Sequence, residues 1–212
     1  MTGSTVFWYA SRATGLVTLL LFTAVLVLGL LVTSKGRLPG LPGFAVTSLH
    51  RNLSLLGLAF VVVHVLTAVL DSYVSIPLVS AVIPFASGYE RFWLGLGAVA
   101  LDLIIAIILT SLVRGRLPRR WWQPVHLLAY LSWPVAFTHC LGASRDLRQG
   151  WLLDMAAGCA VLVVAATVWR LVVAARQPPR AARVTAVFAE QAENSRGPGG
   201  AVREPTSRRL AP

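Results

Sequence analysis

Four histidines are the whole imidazole complement of this chain: His50, His64, His126 and His139. All four fall inside hydrophobic stretches long enough to cross a bilayer. They form two pairs, the first 14 positions apart and the second 13. At about 1.5 Å of rise per helical residue, either pair spans about 20 Å of helix axis. That is most of a hydrocarbon core of roughly 30 Å. An ionisable group in such surroundings is costly and usually functional, and neutral imidazole is a ligand to transition metals. Two helices carrying histidines at two matching depths can hold two ligands stacked across the membrane, each gripped from both sides.

That spacing excludes one metal cluster, because ligands to a single ion sit about 2 Å from a shared centre. Two separate two-histidine metal sites remain open but lack ligands. A haem held by one imidazole on each face fits the pairing better. Covalent attachment is excluded because the sequence has no C-x-x-C-H. The expected cofactors are two haem b, with the four histidines as axial ligands.

The surrounding elements are membrane elements. The chain has 212 residues, 56% of them hydrophobic and 13% charged. Ordinary soluble domains are about 25% charged. The mean hydropathy is +0.71. Five apolar stretches reach spanning length, roughly 13–33, 49–70, 93–113, 121–142 and 152–174. The expected fold is an all-α integral membrane bundle of five transmembrane helices around two stacked haems. The stretch YVSIPLVSAVIPF in the 71–92 loop is too short and proline-broken to span. It is expected at the outer surface, as an interfacial helix, as a lid over the outer site, or as a plain loop. The domain plan is a short extracytoplasmic N-terminus (1–12), the haem domain (13–175) and a basic tail (176–212). The composition of the tail predicts disorder, with a short helix near 183–193.

The net charge of +11 does not point to nucleic acid, because the basic residues sit in short loops and in the tail. Their distribution sets the orientation. The 34–48 loop (Lys35, Arg37) and the 114–120 loop (Arg114, Arg116, Arg119, Arg120) carry no acid. Arg176, Arg180 and Arg183 follow the last span on the same side, which is therefore expected to be cytoplasmic. The N-terminus is then outside. The second and fourth spans both run outward, so His50 and His126 pair near the inner face and His64 and His139 near the outer one.

The spacing of 13 needs a device. Fourteen residues at about 100° each return a helix to within roughly 40° of its starting face, while thirteen leave the second pair roughly 140° apart. Pro134 lies between His126 and His139, and either a distortion there restores a common face or the two haems sit at different azimuths. Gly57, midway between His50 and His64, offers close approach to a macrocycle or a helix. Arg51 and Arg12 are candidates for the inner and outer haem propionates, since arginine forms paired bonds to carboxylates. Asp102, mid-span, reads as a structural partner. Gln123 and Tyr130 are weaker candidates to orient a ligand. Cys140 and Cys159 read as small buried hydrophobes.

The segments LHRNLSLLGLAFVVVHVLTAVLDSY and LDLIIAIILTSLVRGRLPRRWWQPVHLLAYLSWPVAFTHCLG resemble the ferric reductase-like transmembrane domain. That superfamily includes the membrane parts of NADPH oxidases, of ferric reductases and of a bacterial methionine sulfoxide reductase system. The resemblance covers about 7–175 and matches its ligand positions to His50, His64, His126 and His139. It implies electrons passed from a cytoplasmic donor to an extracytoplasmic acceptor, a redox protein or a metal ion, in the bacterial plasma membrane. The tail shows no strand–G-x-G-x-x-G–helix pattern, so an FAD or NAD(P)H domain is not expected in this chain. A separate flavin reductase or a membrane quinol would supply electrons, which makes the chain one membrane component of an oxidoreductase. Competing functional classes are a haem or metal transporter and a non-catalytic assembly subunit with structural histidines.

Overall fold

In a bilayer no water is available to the backbone, so a spanning segment must satisfy its own polar groups, and a helix does so within itself. The computed structural model describes residues 3–33, 42–72, 74, 76–176, 185 and 187–192. Lys35, Arg37, Arg180, Arg183 and most of the expected tail lie outside these. Between residues 3 and 176 the described residues form seven α-helices: α1 (Gly3–Thr33), α2 (Gly43–Leu70), α3 (Val79–Val82), α4 (Arg91–Leu112), α5 (Arg119–Leu127), α6 (Ala129–Ala143) and α7 (Gly150–Ala175). A single 3-10 turn, Asp146–Arg148, joins the last two. No strand occurs among the described residues. Hydroxyls inside the helices turn back on the backbone: Thr14, Thr18 and Thr23 of α1 donate to the carbonyls four residues earlier, at 2.7–2.8 Å.

Four helices, α1, α2, α4 and α7, are long and apolar enough to cross a membrane. Their outward faces carry exposed Leu55, Leu56, Val62 and Val63 on α2 and Val161, Leu162 and Val164 on α7. Apolar exposure on that scale is unsuited to water and suited to lipid. The helix of the first span starts at Gly3, ten residues ahead of the expected 13. The expected fourth span, 121–142, is divided into α5 and α6.

That division corrects the reading of Pro134. The proline sits within α6, which continues through it from Ala129 to Ala143. The break falls instead at Leu128, with φ −61° and ψ −14°, whose N–H donates to Val125 O at 3.0 Å. This is a 3-10 step, three residues back rather than four, and it advances the chain by about 120° per residue instead of about 100°. The two histidines therefore stand on two helices, His126 on α5 and His139 on α6, and not on one regular rod.

The helices α1 and α2 run antiparallel in a strict register. His64 lies against Gly15, Gly57 against Phe22 and His50 against Gly29. Each step of seven residues along α1 is answered by seven back along α2. A second pairing sets α4 against α6, where Trp93 covers Gly142 and His139 covers Gly97. The buried core lies to one side of these pairs, where Leu19, Leu26 and Leu30 of α1 meet Trp133 of α6 and Ala156, Cys159 and Val163 of α7. The last three recur at a helical spacing and form one face of α7. Trp133 anchors this core by donating from Nε1 to Thr23 Oγ1 at 3.0 Å.

Residues up to 170 form one unit and those from Leu171 a second. Of the second, residues 171–175 and 187–192 are helical. That includes part of the helix expected near 183–193.

Candidate cofactor site

A cavity of about 260 Å³ opens between α1, α2, α4, α5 and α6, and all four histidines line it. Its other walls are mainly apolar, among them Leu19, Phe22, Leu101 and Ile104. Ile76, Ser80 and Ala81, from the stretch between α2 and α4, also line it. Ser80 is buried and its hydroxyl has no partner among the described residues.

Three of the histidines are held in the same way. His64 Nδ1 donates to Ser11 O at 2.8 Å, His50 Nδ1 to Val25 O at 3.0 Å and His139 Nδ1 to Trp93 O at 2.7 Å. A carbonyl only accepts, so each Nδ1 carries the proton and each Nε2 keeps the lone pair that binds metals. Four residues beyond each carbonyl stands a glycine: Gly15, Gly29 and Gly97. In a helix that residue occupies the next turn directly above the carbonyl. A Cβ on Gly97 would come within 2.7 Å of His139, one on Gly15 within 2.9 Å of His64, and one on Gly29 within 3.3 Å of His50. The missing side chain is what lets each imidazole reach the backbone. Donors of this kind fix ring orientation and tautomer in metal-ligating histidines.

His126 is the exception. Its Nδ1 is buried and has no partner among the described residues. His126 is instead stacked on Trp122, with ring centroids 4.8 Å apart and planes at 20°.

The rings of His64 and His139 face one another with centroids 6.3 Å apart and planes at 74°. A separation of this size leaves room for an ion with two metal–nitrogen bonds of roughly 2 Å. His126 and His50 both line the same cavity. Among the described residues no group of three or more His, Cys, Asp or Glu is placed to hold an ion. A metal between two facing imidazoles would thus need its remaining ligands from a cofactor.

A family model, the ferric reductase like transmembrane component, matches residues 14–137, more than half of the chain. The chain belongs to this family. The ferric reductase-like match includes His50, His64 and His126, and ends two residues before His139. It places the chain among integral membrane proteins of transmembrane electron transfer. No curated protein and no solved structure matches it.

The other residues singled out in this ferric reductase-like chain are scattered. Arg12 is ion-paired with Asp146, reaches Ser144 Oγ at 3.3 Å and lies over the Trp8 ring at 4.0 Å. It ties α1 to the turn after α6 and is not among the residues lining the cavity. Arg51 is exposed and also absent from the lining. Gly57 receives the ring of Phe22, a helix neighbour, and it is Phe22 that reaches the cavity. Tyr130 lines the cavity, whereas Gln123 is exposed. Asp102 is half-buried on α4, between the lining residues Leu101 and Ile104 in sequence but not itself in the lining. Cys159 is buried in the core and Cys140 is half-buried at the cavity; both are free thiols.

Sequence reasoning missed the glycines. The signal was present: Gly15 and Gly29 are 14 residues apart, the same interval as His50 and His64. An equal spacing of small residues and bulky ligands on adjacent helices is what two helices in contact at both positions require.

Proposed function

We propose that this chain conducts electrons across the bilayer by way of two non-covalent b-type haems. His50 and His126 would hold the inner one, and His64 and His139 the outer one. The observation that carries this reading is the convergence of four imidazoles on one cavity, three of them with Nδ1 committed to a backbone carbonyl. The cofactor, when bound, supplies a one-electron iron couple whose potential follows its axial ligands and surroundings. The residues of the chain do the rest. The carbonyl braces on His50, His64 and His139 would present Nε2 for coordination, and histidine on each side of the iron would favour electron transfer over oxygen binding. The apolar walls exclude water. The helices α5 and α6 together make the fifth crossing, since α6 alone, with 15 residues, falls short of about 20.

Arg114, Arg116, Arg119 and Arg120, with no acid among them, support a cytoplasmic position for the loop before α5. The N-terminus is then outside. The donor is a cytoplasmic flavoprotein or a membrane quinol, and the acceptor an extracytoplasmic redox protein or a metal ion.

The test is a dithionite-reduced minus oxidised spectrum of the purified protein. Sharp low-spin b-type bands at about two haems per chain are expected. Substituting His64 or His139 by alanine should remove one haem and leave the other. A colourless preparation from haem-replete cells, or full haem content in all four single histidine variants, would refute the assignment.

A further inference from the structure

One ionisable side chain within the spans serves neither the cavity nor a bond. Asp102 stands eleven residues into α4 and ten from its end, so about 15 Å of helix lies on either side of it. Its side chain is half-buried and outside the cavity lining. Among the described residues it makes no hydrogen bond and no ion pair. The cavity face of α4 runs through Gly97, Leu101, Ile104 and Ile108. Asp102 belongs to the neighbouring stripe, which continues through Ile105, Leu109 and Leu112 at helical spacing. Those three are 40%, 58% and 75% exposed. In the other direction the stripe is covered: Ala98 and Gly95 are buried, and the Phe85 ring fills the notch at Gly95. A charge at mid-bilayer is costly alone and is ordinarily paired. The described part of this chain supplies no partner at that depth. His139 stands over Gly97 and faces His64, which sets these three residues at one level. Asp102 is five residues along α4 from Gly97, about 8 Å further in, whereas Arg51 is thirteen residues along α2 from His64, about 20 Å further in. The difference of about 12 Å exceeds the reach of an ion pair. Arg12 is spent on Asp146, Arg91 begins α4, Arg114 lies past its end, and Arg170 is twenty residues into α7. A second copy related by rotation about the membrane normal brings the same side chains to the same depths and is no better supplied.

We propose that the stripe from Asp102 to Leu112 docks a transmembrane helix of a different subunit, one that carries a lysine or arginine at mid-bilayer. Such a residue has the complementary need, since either charge is unfavourable in hydrocarbon without the other. Below the ion pair, Ile105 and Leu109 supply the apolar contact that packs helix on helix. Phe85 limits the seat to this half of α4, because it already occupies the notch at Gly95. The docking surface lies outside the cavity, so it stands independently of what the four histidines hold.

The probe is a synthetic leucine–alanine helix of spanning length with one central lysine, compared with the same helix carrying leucine or glutamate there. Each is labelled and mixed with the full-length protein in vesicles of neutral lipid, and association is read by energy transfer. The lysine helix should bind. Asp102→Asn and Asp102→Leu should weaken its binding about 5–30-fold, and Asp102→Glu should retain most of it. Asp102→Lys should reverse the preference, towards the glutamate helix. Circular dichroism shows that each variant keeps its helices. In membranes of the source cells, a photoreactive residue in place of Leu109 should cross-link to a membrane segment with a basic residue at mid-span, and Asp102→Asn should abolish the adduct. Equal binding of the lysine and leucine helices, or binding of neither, would overturn the proposal. So would a cross-link to a segment without such a residue, or one that survives Asp102→Asn. A dimer of this chain that Asp102→Asn dissociates would give the stripe to a second copy and overturn it too. None of these readouts involves haem, so failure here leaves the electron-transfer reading in place.

Discussion

Replacing Gly97 by alanine puts the brace around His139 to a test whose sign is set by geometry. A glycine within a helix ordinarily costs roughly 0.5–1 kcal/mol relative to alanine, so a passive Gly97 would make the variant more stable. The structure requires the opposite. The new Cβ would lie 2.7 Å from His139 Cε1 and 2.8 Å from Nδ1. Ordinary carbon contacts begin at about 3.5–4.0 Å, so the ring must withdraw by roughly 1 Å. That motion breaks the bond from Nδ1 to Trp93 O, now 2.7 Å long, and leaves a buried N–H without an acceptor. The cost is about 1–3 kcal/mol, equivalent to about 5–150-fold in ligand affinity. Loss of such a support typically weakens metal binding about 10–100-fold. The assay is haem content per chain, read from the reduced minus oxidised spectrum across a haem titration. Gly97→Ala should weaken the site of His64 and His139 and spare the other. The same substitution at Gly29, where the Cβ would stand 3.3 Å from His50, needs a shift of a few tenths of an ångström and should be the mildest of the three. Gly15→Ala, at 2.9 Å from His64, should fall between them. If Gly97→Ala binds both haems as tightly as the parent, or Gly29→Ala proves the most damaging, the brace is not what holds these rings.

Thr23→Val should reduce stability by about 1–3 kcal/mol, because it removes the acceptor for buried Trp133 Nε1; detergent-titrated unfolding measures this, and an unchanged midpoint would mean that the bond contributes nothing net. Asp102→Asn should leave haem content and band positions as they are, since Asp102 does not line the cavity. Loss of a haem in that variant would place the carboxylate in the site after all.

Much of this molecule is written in local sequence. Composition and run length mark helices for lipid, because a backbone without water must bond within its own segment. Helix rise converts the separation of His50 from His64 into depth, with no knowledge of neighbours. Depth, however, says nothing about azimuth or about which group touches which. Pro134 looked like the joint of the fourth span, yet the helix breaks at Leu128, a position that nothing in the local sequence marks. Arg12 looked free to meet a cofactor, yet it is spent on Asp146, 134 positions along the chain. The carbonyls of Ser11, Val25 and Trp93 are anonymous in a sequence, since every residue has one. Only the approach of a second helix, permitted by a glycine one turn further on, turns an ordinary backbone oxygen into the support of an imidazole.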